Sequence, residues 1–558
     1  MGKYSADFET TTDLNDCRVW GWGIVDIEDN DRLRIGSDID SFMTFIEKLK
    51  NPTIYFHNLA FDSAFIFDWL LRNGFTYSET KKDKTFSAII SETNTIYSVE
   101  IVYKRYGKSL KKVTLYDSLK KLPFSVEVIA KAYNLEIAKG SIDYTMHRPV
   151  GYKMTDEERE YIKLDILVVA QALKLQFADG LTKMTTGSDA LNMFKKSVGK
   201  QIFNNCFPIL DHETDDYIRL FYKGGFTWVS PRYKGKTLGS GMVFDVNSLY
   251  PSVMRYESLP IGEPIFFEGK YQYDQAYPLY IQEIRVEFDV KPEHIPTIQV
   301  KGSGWAKDTE YVETTNGEIV TLFLSSVDLK LFLDHHTVHY IDYIQGYKFQ
   351  QTTGIFDSYI DPLMHIKETT KGAIQQNAKL MLNSLYGKFA TNPDVTGKRV
   401  YMNDKDVVAF EKKDQEFRDP IYTAMGVFIT AYAREKTIRT AQTVYDRFVY
   451  ADTDSIHLVG SEMPDIEVHP TKLGAWDHEY DFIKAKYVRA KMYFDVVEKE
   501  DGTTYNVVKG AGIPEKARKN VTIDEYDFGF QFYKLVPKRV KGGIVLVEEL
   551  HEVKLPID

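Results

Sequence analysis

The chain has 558 residues, 43% of them apolar and 27% charged, and its 80 acidic and 70 basic residues give a formal charge of −10. This length predicts several domains rather than one core. The two cysteines, Cys17 and Cys206, exclude a disulfide framework and fit a reducing cytoplasm. No apolar run is long enough to predict a membrane span. The acidic balance argues weakly against a nucleic-acid-binding protein, although a local basic groove could still bind phosphates.

The N-terminal third alternates strand-like and helical segments, a pattern that is typical of an α/β domain. The strand-like segments are residues 19–27, 53–56, 97–103 and 112–116, and the helical segments are residues 40–49, 62–73 and 156–177. Near residue 185 the sequence becomes rich in Gly and Ser, which predicts the end of this domain.

Five residues of this third have the chemistry of a metal-dependent nuclease. Asp7 and Glu9 are two residues apart on a predicted strand, so both side chains project to one face. Asp62 begins a predicted helix, and Tyr161 and Asp165 are four apart on one helical face. Each motif alone also fits a solvated strand edge or a helix surface. Together they predict a two-metal nuclease site, with Tyr161 orienting the attacking water.

Two aromatic residues flank the acid of the second motif. Phe61 and Phe65 lie on either side of Asp62 at helical spacing. Such rings could pack in the core, or they could stack on the bases of a single strand. The sequence favours neither interpretation.

Three further aspartates follow apolar strands in the second half of the chain. Asp245 follows the strand-like residues 242–244, and Asp452 and Asp454 lie at the tip of a predicted hairpin after residues 448–451. Carboxylates gathered at strand ends repel one another unless a divalent cation lies between them. Hard oxygen ligands suit Mg²⁺ or Mn²⁺. Two such ions per active site support nucleotidyl transfer.

The segment between these aspartates has three parts. Residues 257–354 are rich in Pro, Gly and short β-like runs, and residues 355–390 predict a long helical stretch. Residues 391–422 predict a hairpin that turns at Asn403, Asp404 and Lys405. Strands and helices then resume until about residue 510, and the tail 511–558 begins with basic residues and ends in a strand.

One face of the predicted helix could bind a nucleotide. Lys379, Asn383 and Tyr386 are at positions i, i+4 and i+7, and therefore lie on one stripe. A lysine, an amide and a ring could contact a triphosphate, a sugar and a base. An amphipathic helix with an incidental lysine is the alternative, and the position between the two acidic strands favours the nucleotide.

With these motifs, the chain resembles the family B DNA polymerases, and within them the protein-primed phi29-like phage subgroup. DVNSLYP at 245–251, KLMLNSLYG at 379–387, YADTDS at 450–455 and KMY at 491–493 match the polymerase motifs. DFE at 7–9, HNLAFD at 57–62 and YIKLD at 161–165 match the three proofreading-exonuclease motifs, and YKGG at 222–225 matches the link between the two modules.

The resemblance implies a role for each matching residue. Asp245, Val246 and Asp454 bind the polymerase metals and Asp452 supports them, while Asp7, Glu9, Asp62 and Asp165 bind the nuclease metals and Lys139 assists catalysis. The nucleotide contacts are Tyr250, which excludes a 2′-hydroxyl, and Lys367, Lys379, Asn383 and Tyr386. Thr430, Arg434, Lys491 and Tyr493 hold the primer terminus, and Tyr222 and Gly225 contact the template. The single strand in the nuclease is lined by Thr10, Tyr55, His57, Asn58, Phe61, Phe65, Ser118 and Leu119.

The resemblance also implies an architecture and partners. An RNase H-like 3′–5′ exonuclease domain is expected at 1–185 before a right-hand polymerase of mixed α/β and α+β structure. Its parts are palm 186–256 and 423–510, an insert facing a terminal protein at 257–354, fingers 355–390, a hairpin insert at 391–422 and thumb 511–558. The implied partners are template-primer DNA, single-stranded DNA, dNTPs and a terminal protein that acts as primer, with the chain a monomer or a heterodimer with that protein. The expected location is the cytoplasm of an infected bacterial host.

One departure and three alternatives remain open. Gln375 stands where the phi29-like pattern has a lysine. The alternatives are a stand-alone exonuclease, a non-enzymatic replication-initiation factor, and a reverse transcriptase or RNA polymerase. The complete acid sets argue against the first two, and a bulky Tyr250 beneath the sugar disfavours ribonucleotides.

Overall fold

The computed structural model describes residues 2–136, 142–299 and 311–555. The N-terminal domain is a mixed eight-stranded sheet in the order β3-β2-β1-β4-β8-β7-β6-β5 with helices on its faces. Its strands are β1 Lys3–Thr10, β2 Val19–Asp26, β3 Leu33–Gly36, β4 Thr53–Phe56, β5 Thr76–Tyr77, β6 Thr85–Ile90, β7 Ile96–Tyr106 and β8 Ser109–Asp117. Its helices are α1 Ile39–Lys48, α2 Leu59–Arg72, a 3₁₀ turn at Ser118–Lys120, α3 Val126–Ala132 and α4 Asp156–Ala178.

Strand β2 of this sheet is buried on both faces. Every residue of β2 is buried, and β1 pairs with it antiparallel and with β4 parallel. Helix α4 begins in a capping box, in which Thr155 and Glu158 satisfy each other's backbone groups. The helix packs across β1 and β2, so that Tyr161 and Asp165 lie above the acids of β1.

A second sheet, whose strands all pair antiparallel, forms the centre of the molecule and follows three helices. The helices are α5 Thr186–Val198, α6 Lys200–Cys206 and α7 His212–Arg219. The sheet runs β22-β21-β20-β11-β19-β18-β9, with β10 paired to β20. Its elements are β9 Thr227–Val229, β10 Thr237–Leu238, β11 Gly241–Val246, α8 Leu249–Tyr256, α13 Thr423–Thr443, β18 Phe448–Asp452, β19 Ser455–Val459, β20 Trp476–Arg489, β21 Met492–Glu498 and β22 Thr504–Gly510.

The described part of residues 257–354 forms a folded sheet, whose strands are longer than the short β-like runs that the sequence indicated. The strands are β12 Leu259–Glu268, β13 Leu279–Val290, β14 Val320–Ser325 and β15 His336–Thr352, in the order β12-β15-β13-β14, with α9 Ser326–His335 packed on them. The 17-residue β15 pairs with β13 over residues 336–349 and with β12 over residues 345–352. This register gives the insert a rigid frame.

The expected long helix at 355–390 is three helices. They are α10 Asp357–Thr369, α11 Gly372–Ser384 and α12 Tyr386–Phe389. The break falls at Thr370 and Lys371, and Gly372 has a φ of +66° that few other residues adopt. Helix α11 consequently turns back and packs on α10. The sequence periodicity predicted the helices but not the turn between them.

Two hairpins complete the chain. The first has strands β16 Asp394–Met402 and β17 Val408–Phe417, which are longer than the arms that the sequence predicts at 399–402 and 407–410. The tail holds α14 Glu515–Lys519 and a second hairpin of β23 Gln531–Val540 and β24 Gly543–Glu552. No described helix is long and apolar enough to cross a membrane.

Two candidate active sites

The three aspartates of the second sheet meet at one edge. Asp245 lies near the end of β11, opposite Ser455 of β19 and Asp477 of β20. The amide of Val246 donates to the carbonyl of Asp454 at 2.7 Å, which ties the first acidic strand to the tip of the β18–β19 hairpin. The sheet register therefore brings together residues that are 209 positions apart in the sequence.

The tip of the hairpin is built around Thr453, which has a φ of +68°. Its amide donates to the carbonyl of Phe226 at 2.6 Å and its carbonyl accepts from Thr437 at 2.8 Å. Gly225 lies against this tip, where a Cβ atom would come within 2.6 Å of the Thr453 hydroxyl. Gly225 is therefore required for the close approach of the two segments. This structural requirement is independent of the template contact expected for Gly225.

Asp452 is engaged differently from the other two acids. Its Oδ1 accepts from Nζ of Lys491 at 2.6 Å and from Thr227 at 3.0 Å. Lys491 has a φ of +58°, and its amide donates to the Tyr450 hydroxyl at 3.0 Å. Tyr493 packs its ring against Tyr450. The KMY segment is thus fixed to the acidic strand, and Asp452 is its anchor.

Burial and like charge act on Asp245 and Asp454. The pKa of Asp245 is raised to about 8, chiefly by burial and then by Asp454, Glu479 and Asp477, against a lowering effect of Lys367. The pKa of Asp454 is also raised, first by burial and then by Asp452. A bound cation would relieve this repulsion. Asp477 and Glu479 were not identified from the sequence, because their proximity to Asp245 arises only from the pairing of β20 with β11.

A cavity of about 420 Å³ lies beside these acids. Its wall carries Asp245, Asp454, Val246, Tyr250, Lys367, Lys379, Asn383 and Tyr386. Lys367 donates to the hydroxyl of Ser248 at 2.8 Å, which holds the ammonium at the start of α8. Gln375 donates to the backbone carbonyl of Lys367 at 2.8 Å, so it joins α11 to α10 and does not act as a cation.

Tyr250 and Tyr386 form one surface of this cavity. Their rings stack with centroids 3.9 Å apart and planes inclined by 21°. The two rings come from α8 and α12, and they hold each other in place. Tyr222, Tyr250 and Tyr386 all pack against one hydrophobic core. Burial raises the pKa of Tyr222, and the nearby Tyr386 raises it further.

Two of the residues expected at the primer terminus lie in the interior instead. Thr430 is 1% exposed and donates to the carbonyl of Gly426 within its own helix. Arg434 is 2% exposed, pairs with Asp328 at 2.8 Å and donates to the carbonyls of Lys223 and Gly224 at 2.9 and 2.8 Å. These contacts leave neither side chain on the surface, so Arg434 holds the segment before Gly225 from behind.

The acids of the first domain form a second cluster around a cavity of about 460 Å³. The cavity is lined by Asp7, Glu9, Asp62, Asp165 and Tyr161, as well as Thr10, His57, Asn58 and Phe61. Asp62 is 2% exposed, and its pKa is raised by burial, by Asp7 and by Glu9. Its buried Oδ1 has no hydrogen-bond partner among the described residues.

Two wall residues of this cavity were missed from the sequence. The hydroxyl of Tyr144 lies 2.7 Å from that of Tyr161, and burial raises the pKa of both phenols. Leu546 of β24 also lines the cavity, from the far end of the chain. Neither residue belongs to a motif, and Leu546 reaches the site only because β24 packs on α2.

Several residues expected along the single strand lie behind the cavity. Tyr55 is 5% exposed, packs on Tyr116 and Phe177, and burial raises its pKa. Phe65 is 2% exposed, so the core interpretation applies to it, whereas Phe61 reaches the cavity.

Ser118 is fully buried and contacts Nδ1 of His57 at 3.0 Å, while Nε2 of His57 contacts the Phe124 carbonyl at 2.7 Å. These bonds orient His57, which lines the cavity. The amide of Leu119 donates to Asp117 at 3.0 Å. Lys139 lies outside the described residues.

Both carboxylate clusters fit divalent cations. In the first domain, the unsatisfied Oδ1 of Asp62 lies among three other acids. In the central sheet, Asp245 is buried and lies close enough to Asp454 for that carboxylate to raise its pKa further. Val246 can contribute only its backbone carbonyl, because its side chain is apolar and 1% exposed. Oxygen-only donor sets of this kind suit hard divalent ions.

Comparison with known proteins agrees with this geometry. Residues 44–150 and 143–473 match the family model "DNA polymerase type B, organellar and viral". The DNA polymerase of Bacillus phage phi29 is 49% identical over 99% of both chains, and that of Streptococcus phage Cp-1 is 33% identical over 99% of this chain and 98% of the other. The chain belongs to the type B DNA polymerases. It is a phi29-like phage polymerase, and family B DNA polymerases use divalent metal ions.

Solved structures extend the match to the whole fold. The phi29 DNA polymerase complexed with primer-template DNA and incoming nucleotide substrates superimposes with a TM-score of 0.95 at 48% identity, covering 99% of this chain and all of that one. The phi29 polymerase complexed with single-stranded DNA gives the same TM-score of 0.95. The multidomain polymerase fold expected from the motifs is confirmed.

Proposed function

We propose that this polymerase copies DNA from a protein primer, displaces the opposite strand as it advances, and trims mismatched 3′ ends in its N-terminal domain. The observation that carries the proposal is the presence of two buried carboxylate cavities in separate domains of one chain, one beside Lys367 and Lys379 and the other beside Tyr161. Two cavities with different cationic and phenolic partners fit two different reactions on one nucleic acid.

In the polymerase cavity, Asp245, Asp454 and the Val246 carbonyl would hold two Mg²⁺ or Mn²⁺ ions. When bound, such ions activate an attacking hydroxyl and neutralise the charge that develops on phosphate. Lys367 and Lys379 attract the triphosphate, and Asn383 and the stacked Tyr250 and Tyr386 orient the sugar and base. Asp452 orients Lys491 toward the primer strand through its 2.6 Å ion pair.

In the nuclease cavity, Asp7, Glu9, Asp62 and Asp165 would hold two further ions. Tyr161 presents its hydroxyl to the cavity and remains protonated, because burial and the neighbouring acids raise its pKa. It can therefore orient a water molecule as a neutral hydrogen-bond partner. Thr10, Asn58 and Phe61 line the space where a single strand would lie, and Lys139 is proposed to assist catalysis.

Contacts between the two hairpins and the first domain support processive synthesis. The Arg539 guanidinium lies 3.7 Å from the ring centroid of Phe410, and Lys541 pairs with Asp406 at 3.3 Å. The amide of Gly542 donates to Asp68 of α2 at 3.1 Å. These contacts join the thumb hairpin β23–β24, the hairpin β16–β17 and the nuclease domain into a ring. Such a ring could enclose a duplex and admit only a single template strand.

The sheet of residues 257–354 is the proposed docking surface for the terminal protein, which would make the complex a heterodimer in the host cytoplasm. Arg285 of β13 and Asp342 of β15 are exposed and opposite each other. A protein partner can be steered by such charges, since exposed charges at an interface act mainly on encounter and specificity.

The experiment compares initiation on a terminal protein with extension of a DNA primer. Arg285→Glu and Asp342→Lys should each reduce initiation on the protein, while extension from a DNA primer stays near the parent rate. Lys131→Glu, a charge reversal at another exposed site on α3, is the matched control. An equal loss of both activities would show that the sheet has only a folding role and would contradict the docking proposal.

A further inference from the structure

A chain of buried hydrogen bonds connects the nuclease domain to α11. It begins at Lys121, directly after the turn Ser118–Lys120, and continues through Gln176 and Tyr133 to Asn377 on α11. The exposed fractions of these residues are 0% for Lys121, 1% for Gln176, 3% for Tyr133 and 4% for Asn377. Buried polar groups are costly unless they are paired, so this chain constrains the packing of the elements it joins.

Gln176 lies in the middle of this chain and donates hydrogen bonds to both sides. Nε2 of Gln176 donates to the Lys121 carbonyl at 3.1 Å and to the Tyr133 hydroxyl at 2.9 Å. The Tyr133 hydroxyl donates in turn to Oδ1 of Asn377 at 2.8 Å. Nδ2 of Asn377 donates to the carboxylate of Asp179 at 2.6 Å, just past the end of α4. Both polar atoms of Asn377 are therefore bound to the nuclease domain.

The other end of the chain is firmly anchored. Nζ of Lys121 donates to the carbonyls of Leu181 and Lys183 at 2.9 and 3.0 Å and to Asp189 at 2.5 Å. All three donors of the ammonium are satisfied. Asp189 lies on α5, which also packs against α11. The anchored Lys121 thus fixes the nuclease-domain end of the hydrogen-bond chain that reaches α11.

The position of Asn377 on α11 gives these bonds a consequence for the polymerase cavity. Successive helical residues are about 100° apart, so Asn377 and Lys379 point in nearly opposite directions. Asn377 faces the nuclease domain, while Lys379 lines the cavity. Apolar packing is non-directional, whereas hydrogen bonds depend on angle. The bonds of Asn377 therefore constrain the rotation of α11 about its axis from the nuclease side, as the bond of Gln375 to the Lys367 carbonyl does from α10.

We propose that Asn377 is a positioning residue for the incoming nucleotide, acting through the rotation of α11 that aims Lys379 and Asn383 into the cavity. The inference rests on the proposed assignment of those two residues to nucleotide binding. Asp245 and Asp454 lie on other elements, so the chemical step should be little affected. The pair Tyr133 and Asn377 would thus make nucleotide affinity depend on the nuclease domain.

The test uses Asn377→Leu, Tyr133→Phe and the double variant in the full chain. Steady-state incorporation should show the KM for dNTP raised about tenfold in each single variant, the equivalent of one lost buried hydrogen bond. The value of kcat should change much less. An unchanged KM in Asn377→Leu, or a loss confined to kcat, would overturn the proposal.

The double variant separates positioning from stability. When both partners of a buried hydrogen bond become apolar, the cost to folding largely disappears. The two other groups that lose a partner are compensated, because Gln176 keeps its bond to the Lys121 carbonyl and the exposed Asp179 can bind water. Thermal unfolding of the double variant should therefore return toward that of the parent, while its KM stays high. A KM that recovers together with stability would show that the bond has only a structural role, and would refute the proposal.

Two further variants complete the design. Tyr526→Phe removes an equally buried hydroxyl from the thumb, where it donates to the Lys509 carbonyl at 2.8 Å, and should leave the KM unchanged. Lys379→Ala should raise the KM directly. If Lys379→Ala raises the KM and Asn377→Leu does not, the positioning role is wrong and the nucleotide site stands. If neither raises it, the nucleotide assignment itself fails.

Discussion

Tyr250 is the residue with the sharpest predicted effect on substrate choice. Its ring lines the cavity and stacks on the ring of Tyr386 with centroids 3.9 Å apart, so it cannot easily withdraw. The 2′-hydroxyl is the group by which a site distinguishes a ribonucleotide from a deoxyribonucleotide. Tyr250→Val should raise the incorporation of ribonucleotides relative to deoxyribonucleotides by about tenfold or more. Single-nucleotide incorporation measures this ratio, and an unchanged ratio would exclude a steric gate.

Arg434 has a predicted effect on stability that follows from its burial. Arg434→Ala would leave Asp328, which is 8% exposed, without its guanidinium partner. Losing one member of a buried pair costs about 3–5 kcal/mol, so thermal unfolding should begin at a lower temperature. Arg434→Met combined with Asp328→Leu should recover much of this loss. A single variant that unfolds like the parent would show that the pair does not hold α13 to α9.

Among individual residues, the sequence predicted the acids of the two cavities better than the side chains that surround them. The carboxylates of both cavities could be identified because strand ends and helical spacing restrict where their side chains point. Thr430, Arg434, Tyr55 and Phe65 could not be separated from surface residues, since motif position says nothing about burial. Tyr144 reaches its site through a loop that no periodicity describes.

The hairpin β16–β17 is the element whose role is most open to a direct test. Val400 and Val408 are each 2% exposed and pack into the core of the nuclease domain, and Lys398 donates to Asn94 at 2.6 Å. The hairpin therefore packs against the nuclease domain and does not cover the central sheet. The sequence predicted a hairpin here, but its support comes from residues about 300 positions away.

Replacing residues 397–412 with a short Gly linker should abolish long products on primed circular DNA. Strand displacement requires about 1–2 kcal/mol for each base-pair step, and without the hairpin the opening beside the template no longer excludes a duplex. Filling of short single-stranded gaps should persist, as should trimming of single strands, which reports that the nuclease domain is folded. A deletion variant that still displaces long strands would refute a role of the hairpin in strand displacement.

Elements that are distant in the sequence meet at the nuclease cavity. Gly543 of β24 contacts Phe65 so closely that a Cβ atom would come within 2.4 Å of its ring. Leu546 enters the nuclease cavity from the same strand. The sequence predicted a thumb at 511–558 but not this contact with the first domain, because no local pattern encodes a docking between the two ends of a chain.

The central claim is that the two carboxylate cavities carry separate reactions. Its most direct test follows one end-labelled primer with a mismatched 3′ end, annealed to template, with Mg²⁺ and with or without dNTPs. Asp454→Ala should extend the primer roughly 10³-fold more slowly or worse, since it loses metal-assisted charge stabilisation, but should still trim it. Asp7→Ala combined with Glu9→Ala should extend but not trim. Near-native extension by Asp454→Ala, or continued trimming by the double variant, would contradict the account.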